Sequence, residues 1–96
     1  MDRVAFKKEF KDDLEIAKKL ADRYLSQGYT VDQVIDILVR WAPAHFGSLS
    51  FVEEHAVEKV CYIATFARQI IKGNFDEEEI DALCDEIEEK DRIRVA

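Results

Sequence analysis

The chain reads as all-α: a compact, mostly antiparallel bundle of four helices and no sheet. Three observations support this. Gly and Pro together number only four in 96 residues, too few for the turns of an all-β chain. Apolar residues recur at steps of three and four rather than two. Each candidate helix opens on a Ser, Thr or Asp or closes on a Gly. The length suits one domain, residues 1–96, with an acidic C-terminal helix over 76–91.

The first helix is expected over about 2–26. Phe6, Phe10, Leu14, Ala17, Ala21, Tyr24 and Leu25 give it one apolar face, and Gly28 supplies a left-handed stop. Thr30 opens the second helix, 30–42, with Gln33 completing a capping box. That helix is apolar on most sides, and Pro43 should end or kink it near Trp41 or Ala42. A third helix is expected over 50–72, capped by Ser50 with Glu53, its middle (Cys61 to Ala67) surrounded by protein. Gly73 stops it. Asp76, with Glu79 in the box position, then opens the fourth helix, 76–90, whose apolar stripe is Ile80, Leu83, Cys84 and Ile87. Ile93 and Val95 in the tail could dock on the bundle.

Charge is the strongest functional hint. From Asp76 to Asp91 there are ten carboxylates and one base, Lys90. Residues 1–48 are neutral, so the whole net charge of −7 lies in residues 49–96. Phosphate-backbone binding needs clustered Lys and Arg, and the bases here are scattered among acids. The partner expected is therefore another protein with a basic surface, not nucleic acid itself. Like charges at i,i+4, such as Asp81 with Asp85, cost helix stability, which favours a use for them. Glu78, Asp81, Asp85, Glu88 and Glu89 are the candidate docking face. The competing explanation is a solvated face that keeps the chain in solution.

The apolar excess of the second and third helices suggests a partner groove or homodimer seam, with Leu38, Trp41 and Phe46 as anchors. No enzyme is expected. Cys61 and Cys84 lie on apolar stripes, where a thiol is inert, and no phosphate loop or nucleophile elbow is present. No metal or other cofactor is expected either. The donors His45, His55, Glu58, Cys61 and Cys84 lack the paired short spacing of metal sites, and the acidic run has no EF-hand loop. With no signal peptide, no membrane span and only two cysteines, the expected location is the cytoplasm.

Gly47-Ser48-Leu49 ahead of a helix resembles acyl carrier proteins, whose Asp-Ser-Leu motif bears phosphopantetheine on its serine. The resemblance would make Ser48 the attachment point. Gly47 stands where that family has aspartate, and two substantial helices precede the serine where the family has one long helix and a loop. Small size, one-sided acidity and absent chemistry also resemble phage- or mobile-element-encoded inhibitors of nucleic-acid-binding machines, of the anti-CRISPR or anti-restriction type. The reading carried forward is a non-enzymatic interaction module. Its rival is a structural or assembly subunit held through the apolar helices.

Overall fold

The computed structural model describes residues 1–48 and 51–95. The all-α class holds. Five helices are present: α1 (Arg3–Ser26), α2 (Val31–Phe46), α3 (Ala56–Thr65), α4 (Ala67–Lys72) and α5 (Glu77–Val95). A two-residue antiparallel ladder joins α2 to α3, with β1 (Gly47–Ser48) paired to β2 (Phe51–Val52). No described helix is long and apolar enough to cross a membrane.

α1 follows its periodicity. Phe6, Phe10, Leu14, Ala17 and Ala21 are all buried. Its stop is a Schellman motif: Tyr29 N–H reaches Tyr24 O, Gly28 N–H reaches Leu25 O, and Gly28 sits at φ 94°. Gly73, at φ 79°, closes α4 in the same way. Thr30 and Gln33 form the expected reciprocal box at the start of α2.

Pro43 does not end α2. Proline offers no N–H to the Val39 carbonyl, yet the helix continues to Phe46, and the Gly47 N–H then bonds the Pro43 carbonyl. Ala42 and Phe46 extend the buried Val34–Leu38 stripe, and burying Phe46 offsets the missing bond.

The expected 50–72 helix is the main correction. β2 occupies its first part, anchored by the Glu53 N–H on Phe46 O at 2.8 Å. His55 then adopts a left-handed conformation (φ 60°, ψ 29°), which blocks any helix running back through it. The Ser50 cap lies outside the described residues. A second break falls at Phe66. The Thr65 hydroxyl donates to the Cys61 carbonyl four residues back, a bond that bends helices, and Phe66 leaves helical geometry. The segment expected to be enclosed is also partly open, since Cys61, Ala64 and Thr65 are exposed.

α2 packs along α3, α1 lies against α2 and α4, and α5 spans the open side between α3 and α1. The core centres on an aromatic group. Phe10 stacks on Phe6 (5.8 Å between ring centres) and meets Tyr62 edge-on (5.1 Å) and Phe46 (6.4 Å). α5 adds Ile80, Leu83, Cys84 and Ile87, as its stripe predicts. Asp76 caps it by accepting from Glu78 N–H, whereas Glu79 turns to the Gln69 amide instead of closing a box. α5 runs on to Val95, past the expected residue 90, and Ile93 is 69% exposed rather than docked.

Candidate functional site

α5 divides into four stripes because its acids fall at different angles around a 3.6-residue turn. The apolar stripe is buried. Beside it, Glu77, Asp81, Asp85 and Glu88 face α1. Arg3, Lys7 and Lys11, each one turn further along α1, meet them in antiparallel order. Arg3 pairs with Asp85 and, at 3.5 Å, with Glu88. Lys7 lies 2.8 Å from Asp81 and 3.0 Å from Glu77, which also pairs with Lys11. These bases, scattered in the sequence, form one strip in the fold.

Pairing across the seam favours the charged forms of Glu77 and Lys7. Hydrogen bonds from Lys11 and Lys7 keep the Glu77 carboxyl below the usual carboxylate range. Bonds to Asp81 and Glu77 raise the Lys7 ammonium. A carboxyl with a lowered value stabilises the fold above its unfolded titration and loses that contribution as pH falls through the folded one. Replacing both Arg3 and Lys7 with Gln should therefore lower Tm at 50 mM salt. Melting the variant and the native chain at 50 mM and 0.5 M NaCl should show the gap narrowing with salt.

The third stripe, on the opposite flank, looks onto α3. Glu79 and Glu86 with Glu58 surround a cleft of about 320 Å³, floored by Tyr62, Phe66 and Leu83. Lys90 stands at one side, 3.1 Å from Glu86 and 3.5 Å from Glu58. Burial pushes the Glu58 carboxyl up, but the helix backbone and Lys90 outweigh it and leave the group lowered. Burial, followed by Glu79 and Asp76, pushes the Tyr62 phenol up to about 12, so it stays protonated. The fourth stripe faces solvent and carries Glu78 and Glu89, which form no ion pair among the described residues.

The five acids expected to act together are thus split. Asp81, Asp85 and Glu88 belong to the α1 seam, and Glu78 and Glu89 remain outward. The apolar anchors divide as well. Leu38 and Phe46 are fully buried core residues, which corrects their expected place on an exposed seam. Trp41 is half-buried, stacked on His45 at 4.5 Å, whose Nε2 lies 2.8 Å from Asp13. The apolar surface left open is elsewhere: Pro43, Ala56, Val57, Val60 and Cys61 line a groove of about 270 Å³ between α2 and α3. Val57, 71% exposed, is its most open valine.

The candidate donors do not converge, and no group of three metal-ligating side chains occurs among the described residues. Cys61 is exposed, against expectation. Cys84 is buried, and burial raises its thiol. Ser48 lies on β1, eight residues ahead of α3, not at a helix start as in a carrier protein. Lys59 went unnoticed in the sequence because it reads as one more surface base. It is 4% exposed, paired with Glu53 at 3.3 Å and set over the rings of Phe6 and Phe46. Compared with protein-family models, curated proteins and solved structures, the chain matches none.

Proposed function

We propose that this chain is a non-catalytic interaction module that presents α5 to a basic surface on another protein. The observation that carries the reading is the pairing of an outward acidic stripe with an acid-lined cleft that has an apolar floor. A Lys or Arg side chain suits such a cleft: its stem lies on Tyr62, Phe66 and Leu83 while its head meets Glu79 and Glu86. The α1 seam neutralises only one flank of α5. The contact residues are therefore Glu78, Glu79, Glu86 and Glu89, and Asp81, Asp85 and Glu88 serve the fold. Within this class the reading extends to a phage- or mobile-element-encoded inhibitor that blocks a nucleic-acid-binding surface.

A binding assay against a captured partner tests this with three baits: the native chain, a Glu78, Glu79, Glu86 and Glu89→Gln variant, and Asp81→Asn. The quadruple variant should bind about thirtyfold more weakly, because each rim charge contributes roughly 0.5 kcal/mol. The native complex should weaken between 0.1 and 0.5 M salt, whereas Asp81→Asn should bind nearly as well as the native chain. Equal capture by the native and quadruple baits would reduce α5 to a solubilising face.

A second reading rests on the α2–α3 groove. An apolar opening whose Val57 is about 70% exposed suits an assembly contact or a second copy of the chain. Such binding would resist salt and fail on Val57→Asp.

A further inference from the structure

We infer that the cleft between α3 and α5 receives one arginine side chain of the partner, with its guanidinium at the Glu79 end, and that Lys90 keeps a second cation from the Glu86 end. The inference rests on the reading of α5 as a docking helix and adds the head group, its seat and what limits the cleft to one. At about 320 Å³ the cleft lies at the small end of ligand pockets (roughly 300–1,000 Å³), which suits a side chain rather than a folded element.

The two ends of the cleft differ. Glu79 and Glu86 stand two turns apart on α5, roughly 10 Å along its axis, so a single head between them leans on the carboxylate that is free. Glu86 is not free. The Lys90 ammonium lies 3.1 Å from it and 3.5 Å from Glu58. The hydrogen bond to Glu86 is the largest influence on that ammonium and raises it, so it stays charged. Glu79 forms no ion pair among the described residues. The Gln69 amide donates to its Oε1 at a long 3.5 Å, and its Oε2 is buried and accepts from no donor. An enclosed carboxylate oxygen without a donor costs free energy that an incoming N–H recovers. The carboxylate can turn to meet that N–H, because its last torsion is soft and the Gln69 bond is long.

The floor selects the head. Tyr62 and Phe66 line it with rings 4.6 Å apart between centres and inclined at 48°. Burial, followed by Glu79 and Asp76, pushes the Tyr62 phenol up to about 12, so the floor carries no charge of its own. A guanidinium is planar, stacks on aromatic faces and sheds water more readily than an ammonium. Its fork also matches both oxygens of one carboxylate, whereas an ammonium is a compact, strongly hydrated point charge. An apolar floor beside one unpartnered carboxylate therefore favours arginine over lysine. Lys90 repels a further cation from Glu58 and Glu86, so the cleft reads one arginine rather than a pair.

Titration of the isolated chain, followed by amide proton–nitrogen NMR at matched ionic strength, tests this with three small probes. They are N-acetyl-arginine amide, N-acetyl-lysine amide and N-acetyl-citrulline amide, which keeps the shape of arginine without its charge. The arginine probe should move the Tyr62, Phe66, Glu79 and Leu83 signals with a millimolar Kd. The lysine probe should bind about fivefold more weakly, the size of one stacking contact, and the citrulline probe should not saturate. Glu79→Gln should weaken the arginine probe about tenfold, Lys90→Gln should tighten it about threefold, and Glu89→Gln should leave it unchanged. Should Glu79→Gln alter the fold, the citrulline comparison on the native chain decides alone. Saturation by citrulline as by arginine, or an arginine Kd unchanged in Glu79→Gln, overturns the seat. A lysine probe that binds as tightly as arginine overturns the head group, and a Kd unchanged in Lys90→Gln overturns the exclusion of a second cation. None of these titrations uses the partner. Loss of the cleft therefore leaves the Glu78 and Glu89 contact to the bait assay, and equal capture by those baits would sink the docking reading while probe binding persists.

Discussion

Phe10→Ala is expected to lower the unfolding free energy by about 3–5 kcal/mol, the range for removing a buried aromatic ring. Phe10 is fully buried, and three other rings touch it: Phe6 from its own helix, Phe46 from the end of α2 and Tyr62 from α3. Few neighbours could collapse into the space, because those rings are fixed by separate elements. A domain of this size has a total stability of roughly 5–15 kcal/mol and sits near the lower end. Equilibrium urea denaturation followed by far-ultraviolet circular dichroism should show the midpoint falling by a third or more. A cost below about 1 kcal/mol would mean that the ring cluster is not the centre of the core.

Glu53→Ala is expected to cost about 2–4 kcal/mol, while Lys59→Met costs less than about 1 kcal/mol or stabilises. The pair is asymmetric. Lys59 has 5% of its side chain exposed and Glu53 has 33%. Removing the carboxylate leaves an enclosed ammonium facing the rings of Phe6 and Phe46, and breaking a buried pair from one side is the expensive direction. Replacing the ammonium with a thioether of similar length removes the need for the carboxylate and keeps the contact with both rings. The double variant should recover most of the loss from Glu53→Ala. Urea midpoints of the four chains measure the coupling directly. A neutral Glu53→Ala would show that some other group carries the charge of Lys59.

The sequence made the helices legible where one face decides everything. Phe6 to Ala21 and Ile80 to Ile87 are simple stripes, and both are buried as their spacing predicts. The stops at Gly28 and Gly73 and the box at Thr30 were legible because their chemistry is local. What failed was set by distant contacts. Pro43 reads as a terminator until Phe46 has a core to enter. The 50–72 segment reads as one helix until β2 pairs with β1 and His55 takes its left-handed turn. The acidic run was read correctly as a helix, but its partition was not. Arg3, Lys7 and Lys11 are spaced four apart, and Glu77, Asp81, Asp85 and Glu88 are spaced to match. That complementarity was present in the sequence; only the antiparallel meeting of α1 and α5 gives it meaning.

The same meeting has a cost in time. Arg3 and Asp85 are 82 residues apart in the chain, and Lys11 and Glu77 are 66 apart. A growing polypeptide therefore leaves Arg3, Lys7 and Lys11 without their α5 partners until nearly all of it has been synthesised. Exchange of the α5 helix between two molecules would reproduce the contacts of the seam, so an exchanged dimer would differ from the monomer chiefly in entropy.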